Sequence, residues 1–221
     1  MSVSPVVKPA LGRPQRQVLE GRYVRLEPVG PEHAADLWAA SSDAGAAERY
    51  RYLFNHAPAS LAEMEARIHK AVSEDDPLAF AVVDRATGRA GGQQSLMHIV
   101  PEHGSIEIGA VYWGPGVART RLATEALYLF ARHSIEDLGY RRFEWKCNNA
   151  NQPSKRAAER FGFTFEGVFR QHMILKGESR DTAWFSMLNG EWPTRKAGFL
   201  RWLDESNFDA EGNQRTPLRV R

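Results

Sequence analysis

The stretch that most constrains this chain runs from Gly114 to Gly162. A turn, Gly114-Pro115-Gly116, feeds a long helical pattern, a strand of alternating residues follows, and an Asn-x-x-Ser segment opens a second, shorter helix. That order brings two helix starts near one strand. Each start carries N–H groups with no partner inside the helix, together with the positive end of the helix dipole, a combination that suits a phosphate. The residues alone therefore point to a cradle for a phosphorylated ligand. In the first helix, expected over about 119–138, Leu122, Ala126, Leu129, Phe130 and His133 form one apolar stripe. Leu127, Ala131, Ile135 and Leu138 form a neighbouring one, so this helix should lie against a sheet and end at Gly139. Arg142 to Cys147 alternates, with Phe143, Trp145 and Cys147 on one face and the charges on the other. Asn151 can cap the second helix, with Pro153 and Ser154 in its first turn and Gly162 at its end.

The remaining segments supply more of a sheet and two early helices. Gly21 to Pro28 alternates and stops at proline, as a first strand would. Pro31-Glu32-His33 begins a helical pattern through Leu37 and Trp38. A capping box at Ser60-Leu61-Ala62-Glu63 starts another, carried on by Met64, Ile68, Ala71 and Val72. The linker between them holds Tyr50, Tyr52, Phe54 and His56, either a loop packed on the core or a wall for a substrate. Strands are expected at 78–83, 93–100 and 105–113, the first two joined by a turn at 84–89. Two more, at 163–169 and 182–188, are joined through 172–176 and a turn at 177–179. An amphipathic piece at 198–203 precedes a polar end.

With 221 residues, 43% apolar, the chain is expected to form one main domain over 18–193, with a flexible tail at 1–17 and a C-terminal extension at 194–221. Its 29 basic residues nearly balance 27 acidic ones, without long like-charge runs, so nothing motivates a nucleic-acid partner. No stretch has the length of a membrane span, and Met1–Gln17 lacks the apolar centre of a signal peptide. The single cysteine, Cys147, cannot form an internal disulfide, which fits the cytosol. The seven histidines show no metal spacing, so no metal is assigned.

The element order, with Ala123-Thr124-Glu125-Ala126 in the long helix, Asn151-Gln152-Pro153-Ser154 opening the shorter one, and Arg160-Phe161-Gly162-Phe163 followed by Glu166-Gly167, resembles the GCN5-related N-acetyltransferase (GNAT) superfamily. The combination is most similar to its ribosomal-protein alanine acetyltransferase, or RimJ/RimL-type, branch. The resemblance covers Gly21 to Trp192. It implies a mixed α/β fold, a mostly antiparallel sheet splayed between its fourth and fifth strands and flanked by helices. It implies acetyl-CoA as cosubstrate, held in the wedge between those strands, with the pyrophosphate on N–H groups at the start of the long helix. On this basis Val111, Arg119, Thr120, Arg121, Ala123, Thr124, Asn151 and Ser154 are expected to bind the cofactor. One departure stands out: the family has glycine on either side of one residue before A-T-E-A, where this chain has Arg119-Thr120-Arg121. The two arginines either add charge-assisted contacts to phosphate, begin the helix as exposed residues, or disturb the loop.

The implied activity is acetyl transfer to a primary amine of a small molecule or a peptide or protein N-terminus, by direct attack in a ternary complex. Such chemistry needs a base, a polarised carbonyl and a proton for the departing thiolate. Glu107 is the candidate base, acting directly, through water, or only by binding the substrate ammonium; Glu144 is the reserve, and either could be a plain strand carboxylate. A backbone N–H near Gly109 to Val111, where a bulge is expected, is the candidate for the carbonyl. Ser154 is expected near the thiol and Asn151 on the pantetheine arm, and both residues equally suit helix capping. Cys147 is expected to be an inert core thiol. A non-catalytic CoA-binding or interaction module of the same fold is the alternative, and a homodimer is compatible with either.

Overall fold

The computed structural model describes residues 7–221; residues 1–6, part of the expected tail, lie outside the described residues. Its strands are β1 (Leu19–Glu20), β2 (Val24–Pro28), β3 (Leu78–Asp84), β4 (Ala90–Val100), β5 (Ser105–Trp113), β6 (Arg142–Asn148), β7 (Thr164–Leu175) and β8 (Glu178–Leu188). They form one eight-stranded sheet in chain order except that β8 lies between β6 and β7. The helices are α1 (Ala34–Ala40), α2 (Ala46–Tyr50), α3 (Leu61–Ser73), α4 (Arg121–Arg132), α5 (Gln152–Arg160) and α6 (Trp192–Leu203). This is the mixed sheet flanked by helices that the sequence implies. The strands read there as fourth and fifth are β5 and β6, because the two-residue β1 precedes them.

Alternation decides what each face of the sheet carries. On β3, Leu78, Phe80 and Val82 enter the main core, while Ala79, Ala81 and Val83 enter a smaller one with Leu37, Met64 and Ile68 of α1 and α3. Both faces of this strand are therefore covered by helices or core. On β5, β6 and β8 only one face is apolar. Ile106, Ile108, Phe143, Trp145, Phe185 and Met187 pack there with Leu127 and Phe130 of α4 and Phe199 of α6. The opposite face of these three strands carries Glu107, Glu144, Lys146, Thr182 and Trp184, with Glu107 opposite Glu144 and Lys146 opposite Trp184.

Several elements differ from the pattern-based expectation. α4 is shorter, 121–132, and continues as a π-helical turn, His133–Asp137. The capping box at Ser60 is only half made: Ser60 Oγ takes the Glu63 N–H, but the Glu63 carboxylate takes that of Ala59. The last hairpin is longer, since β7 runs on to Leu175 and turns tightly at Lys176-Gly177, both with positive φ. Bulges in β7 break its alternation and hide this continuity from a periodicity reading. α6 begins at Trp192 rather than 198, and its Phe199, Trp202 and Leu203 are core residues. Upstream, Ala10 and Leu11 donate N–H to Pro101 O and Leu138 O. Among the described residues no helix is long and apolar enough to cross a membrane.

Candidate active site

Parallel pairing of β5 with β6 runs from Ser105↔Arg142 to Ile108↔Trp145 and stops. Beyond it the sheet opens. A bulge on the other side of β5 contributes: Ser95↔Gly109 is followed by Gln93↔Tyr112, so Ala110 and Val111 together face Gln94, and Ala110 takes φ 49°. The bulge falls where the resemblance implies one, and its left-handed residue is Ala110 rather than Gly109. Gly109 serves space instead, because a Cβ there would run into Met97 Sδ and sit 3.4 Å from Glu107 Oε1. Gln94 is fully buried and ties the bulge to α4, its Nε2–H donating to Ala126 O at 2.9 Å while its Oε1 accepts Trp113 Nε1–H at 3.2 Å.

The opening leads into a cleft of about 1290 Å³. At one end lies the start of α4. Thr120 caps it, Oγ1 taking the Leu122 N–H at 3.1 Å and donating to Val117 O at 2.7 Å. Turn bonds use the N–H groups of Val117, Ala118 and Thr120, leaving those of Arg119 and Arg121 without a partner among the described residues. Arg119 adopts φ 65°, the left-handed conformation for which glycine is the usual residue, and its side chain is exposed. Arg121 points elsewhere. Its guanidinium stacks over Tyr23 at 4.4 Å and Phe208 at 5.3 Å, so its side chain is a packing element. Ala123 and Thr124 are buried in the first turn, and Thr124 Oγ1 accepts Arg160 Nη1–H at 3.1 Å. Glu125 lies away from the cleft and accepts the N–H groups of Arg22, Tyr23 and Val24, which fixes the turn into β2.

At the start of α5, Asn151 Oδ1 caps by taking the Ser154 N–H at 3.1 Å. Both residues line the cleft. Ser154 Oγ accepts Trp145 Nε1–H at 3.0 Å. Indole is a donor only, so this bond leaves the serine hydrogen free to be given to another group. Cys147 is buried on β6 and lines the cleft beside Ser154; burial pushes its thiol up more than a hydrogen bond with Ser154 lowers it.

On the polar face of β5 and β6 stands a charged network. Glu107, 4% exposed, receives Lys146 Nζ at 2.7 Å and His98 Nδ1–H at 2.7 Å, both on Oε2, so Oε1 stays open beside Gly109. Lys146 also meets Glu144 at 2.8 Å and lies 4.0 Å from the centre of the Trp184 ring. Arg142 bonds Glu144 at 2.6 Å and grips Glu166 with two bonds, at 2.5 and 2.7 Å. For Glu144, burial pushes the carboxyl up, but the Lys146 and Arg142 hydrogen bonds together outweigh it and hold it below the usual range. For His98, the Glu107 hydrogen bond raises the imidazole above its ordinary value, more than burial lowers it.

His98 escaped the sequence reading because alternation from Met97 would turn it to the other face. A bulge with φ 48° at His98 re-aims it, and Asp76 holds the bulge by accepting the N–H groups of His98 and Ile99 at 2.9 and 3.0 Å. Lys146 was legible only as part of the polar face of its strand, and Arg180 falls between the expected turn at 177–179 and the expected strand from 182. Of the aromatic linker, Tyr50 is buried and stacked on Tyr112 at 4.4 Å, whereas Tyr52 and Phe54 line the cleft. Lys176, at the tip of the last hairpin, donates to Tyr50 O at 2.9 Å and closes this wall. Among the described residues no group of three or more metal-type ligands exists.

Comparison with known proteins matches residues 24–164 to the family model of the acetyltransferase (GNAT) domain. A GCN5-related N-acetyltransferase from Brucella melitensis is 52% identical, with a TM-score of 0.93 and coverage of 96% of each chain. A structure described as a "probable acetyltransferase (GNAT family)" from Chromobacterium violaceum is 35% identical, with a TM-score of 0.80, covering 87% of this chain and 98% of that one. Among curated proteins, "Uncharacterized N-acetyltransferase p20" of Bacillus licheniformis is 28% identical over 117 residues, 51% of this chain. The match spans 63% of the length of that relative.

Proposed function

The chain belongs to the acetyltransferase (GNAT) domain family, and from this we propose that it transfers an acetyl group from acetyl-CoA to a primary amine of a small molecule or of a peptide or protein N-terminus. The observation that carries the reading is the opening of the sheet between β5 and β6 beside Glu107, with two helix starts on its far side. The residues present fit the cosubstrate. The partnerless N–H groups of Arg119 and Arg121 suit its phosphates, with Thr120, Ala123 and Thr124 shaping that turn; Asn151 and Ser154 line the thiol end, and the bulged backbone through Val111 faces the gap. Arg119 adds an exposed positive charge at the phosphate end, whereas Arg121 contributes its N–H and not its guanidinium. When bound, acetyl-CoA supplies an acyl group activated as a thioester.

The residues on the acceptor side then have distinct tasks. Lys146, bonded to both Glu107 and Glu144, fixes the position of the Glu107 carboxylate. Glu107 Oε1 takes the proton that the amine nitrogen releases, and His98, donating its Nδ1–H to Oε2 of the same carboxylate, holds that carboxylate in place. Ser154, held as an acceptor by Trp145, donates a hydrogen bond from its hydroxyl to the departing thiolate. Motifs alone, Ala123-Thr124-Glu125-Ala126 and Asn151-Gln152-Pro153-Ser154, support placing the chain in the RimJ/RimL-type branch.

The test follows free-thiol release from acetyl-CoA against a panel of amines and N-terminal peptides. Acceptor-dependent release is expected, and Glu107→Gln should lower kcat by about 100-fold or more while leaving acetyl-CoA affinity within twofold. Tight acetyl-CoA binding without release for any acceptor would instead identify a non-catalytic CoA-binding module.

A further inference from the structure

Arg180 lies on β8, two positions before Thr182 on the strand face that carries Trp184, Lys146 and Glu107. It is 6% exposed, yet it makes no ion pair or hydrogen bond among the described residues, and its Nε is an orphaned buried donor. A buried guanidinium without an anion is costly, since it is always charged and can only donate. Burial lowers its proton affinity, and among the described residues the carboxylate whose charge acts on it is Glu107, already engaged by Lys146 and His98. Glu48 and Glu178 line an adjoining pocket of about 680 Å³ without coming within ion-pair distance of it. Trp184 Nε1 on the same face is a second buried donor without a partner, and Trp184 and Arg180 both line the cleft. Phe54 lies against the guanidinium at 5.2 Å, which leaves the edge donors of the fork available.

We infer that Arg180 is the seat of a carboxylate carried by the amine acceptor, so that the substrate class is an amine bearing a carboxylate, either a free amino acid or a peptide with an acidic residue near its N-terminus. The inference rests on the proposed acetyl transfer for the word acceptor, but not for the presence of the anion subsite. The carboxylate satisfies an orphaned donor set and neutralises a buried charge, while the amine of the same molecule reaches Glu107 Oε1. Arg180 thus selects and orients the acceptor without touching the atoms that react.

Binding tests this without catalysis. In the presence of CoA, calorimetry with the full chain compares N-acetyl-L-amino acids with their carboxamides, and N-acetyl dipeptides ending in carboxamide that carry Asp or Asn second. At least one carboxylate member is expected to bind about 10- to 100-fold tighter than its neutral partner. The first series scoring identifies a free amino acid, the second an acidic peptide. Arg180→Met should erase the difference with CoA affinity unchanged, and Arg180→Lys should retain part of it. Equal binding of charged and neutral partners, no detectable binding of any carboxylate, or a preference that survives Arg180→Met would overturn the inference. Thiol release with the amine panel reports separately on acetyl transfer, so failure of one reading is distinguishable from failure of the other.

Discussion

The two faces of β5, β6 and β8 are built from the same strands by opposite rules. On one, Phe143, Trp145, Phe185 and Met187 meet α4 and α6 in a dry aromatic core, where any apolar residue of matching size would serve. On the other, Glu107, Glu144, Lys146 and Arg142 form a network in which each group answers a particular charge, and Arg180 stands with none. The first face gives the sheet its stability. The second gains little from folding and is kept open by the bulges at His98 and Ala110, so its organisation makes sense only toward a ligand.

This contrast can be broken or sharpened by substitution. Phe143 is fully buried, its ring 5.6 Å from that of Phe163, and Phe143→Ala should cost about 3–5 kcal/mol in urea unfolding. A smaller loss would mean that the core face is not the stabilising one. Arg142→Met should cost less, about 1–3 kcal/mol at neutral pH, and should change how stability responds to acid. Hydrogen bonds from Arg142 hold Glu166 below the usual carboxylate range, against burial, and help hold Glu144 there. A carboxyl lowered in the folded state adds stability above its unfolded value, near 4.5, and that contribution is lost as pH falls through the folded value. The wild-type protein should therefore lose stability more steeply below about pH 4.5 than Arg142→Met. Parallel acid profiles would show that the network contributes nothing. The smallest effects separate the two arginines of the cradle. Arg121→Gln should cost about 0.5–2 kcal/mol of stability by losing its aromatic stack and leave acetyl-CoA affinity unchanged. Arg119→Ala should weaken acetyl-CoA severalfold with stability unchanged, and a reversed pattern would exchange their roles.

The core face was legible because alternation is a direct record of burial. Phe143, Trp145 and Cys147 could be sorted inward and Glu144 and Lys146 outward from spacing alone. The open sheet and the bulge near Val111 were legible only through motif resemblance; the cap at Asn151 is where helix chemistry puts it, whereas the cap at Thr120 was not foreseen, the helix being expected from about 119. His98 was not legible, because one left-handed residue turns a side chain to the opposite face and leaves no trace in periodicity. Arg180 was not singled out for a similar reason: bulges at Gln171 and near Gly167 break the alternation of the last hairpin, and the strand expected from 182 begins at Glu178, which places Arg180 in it, lining the cleft. What could not be read from one sequence is the pairing of charges across strands, since Glu107 finds Lys146 and His98 only once register is fixed.

The central claim is that acetyl-CoA occupies the gap between β5 and β6, on the start of α4. Amide hydrogen exchange with and without acetyl-CoA reads this directly. Protection is expected in Gly109–Trp113, Arg119–Thr124 and Asn148–Ser154, with little change at the already protected core residues Phe143 and Phe185. Protection confined to other segments, or none at acetyl-CoA concentrations that saturate binding, would contradict the account.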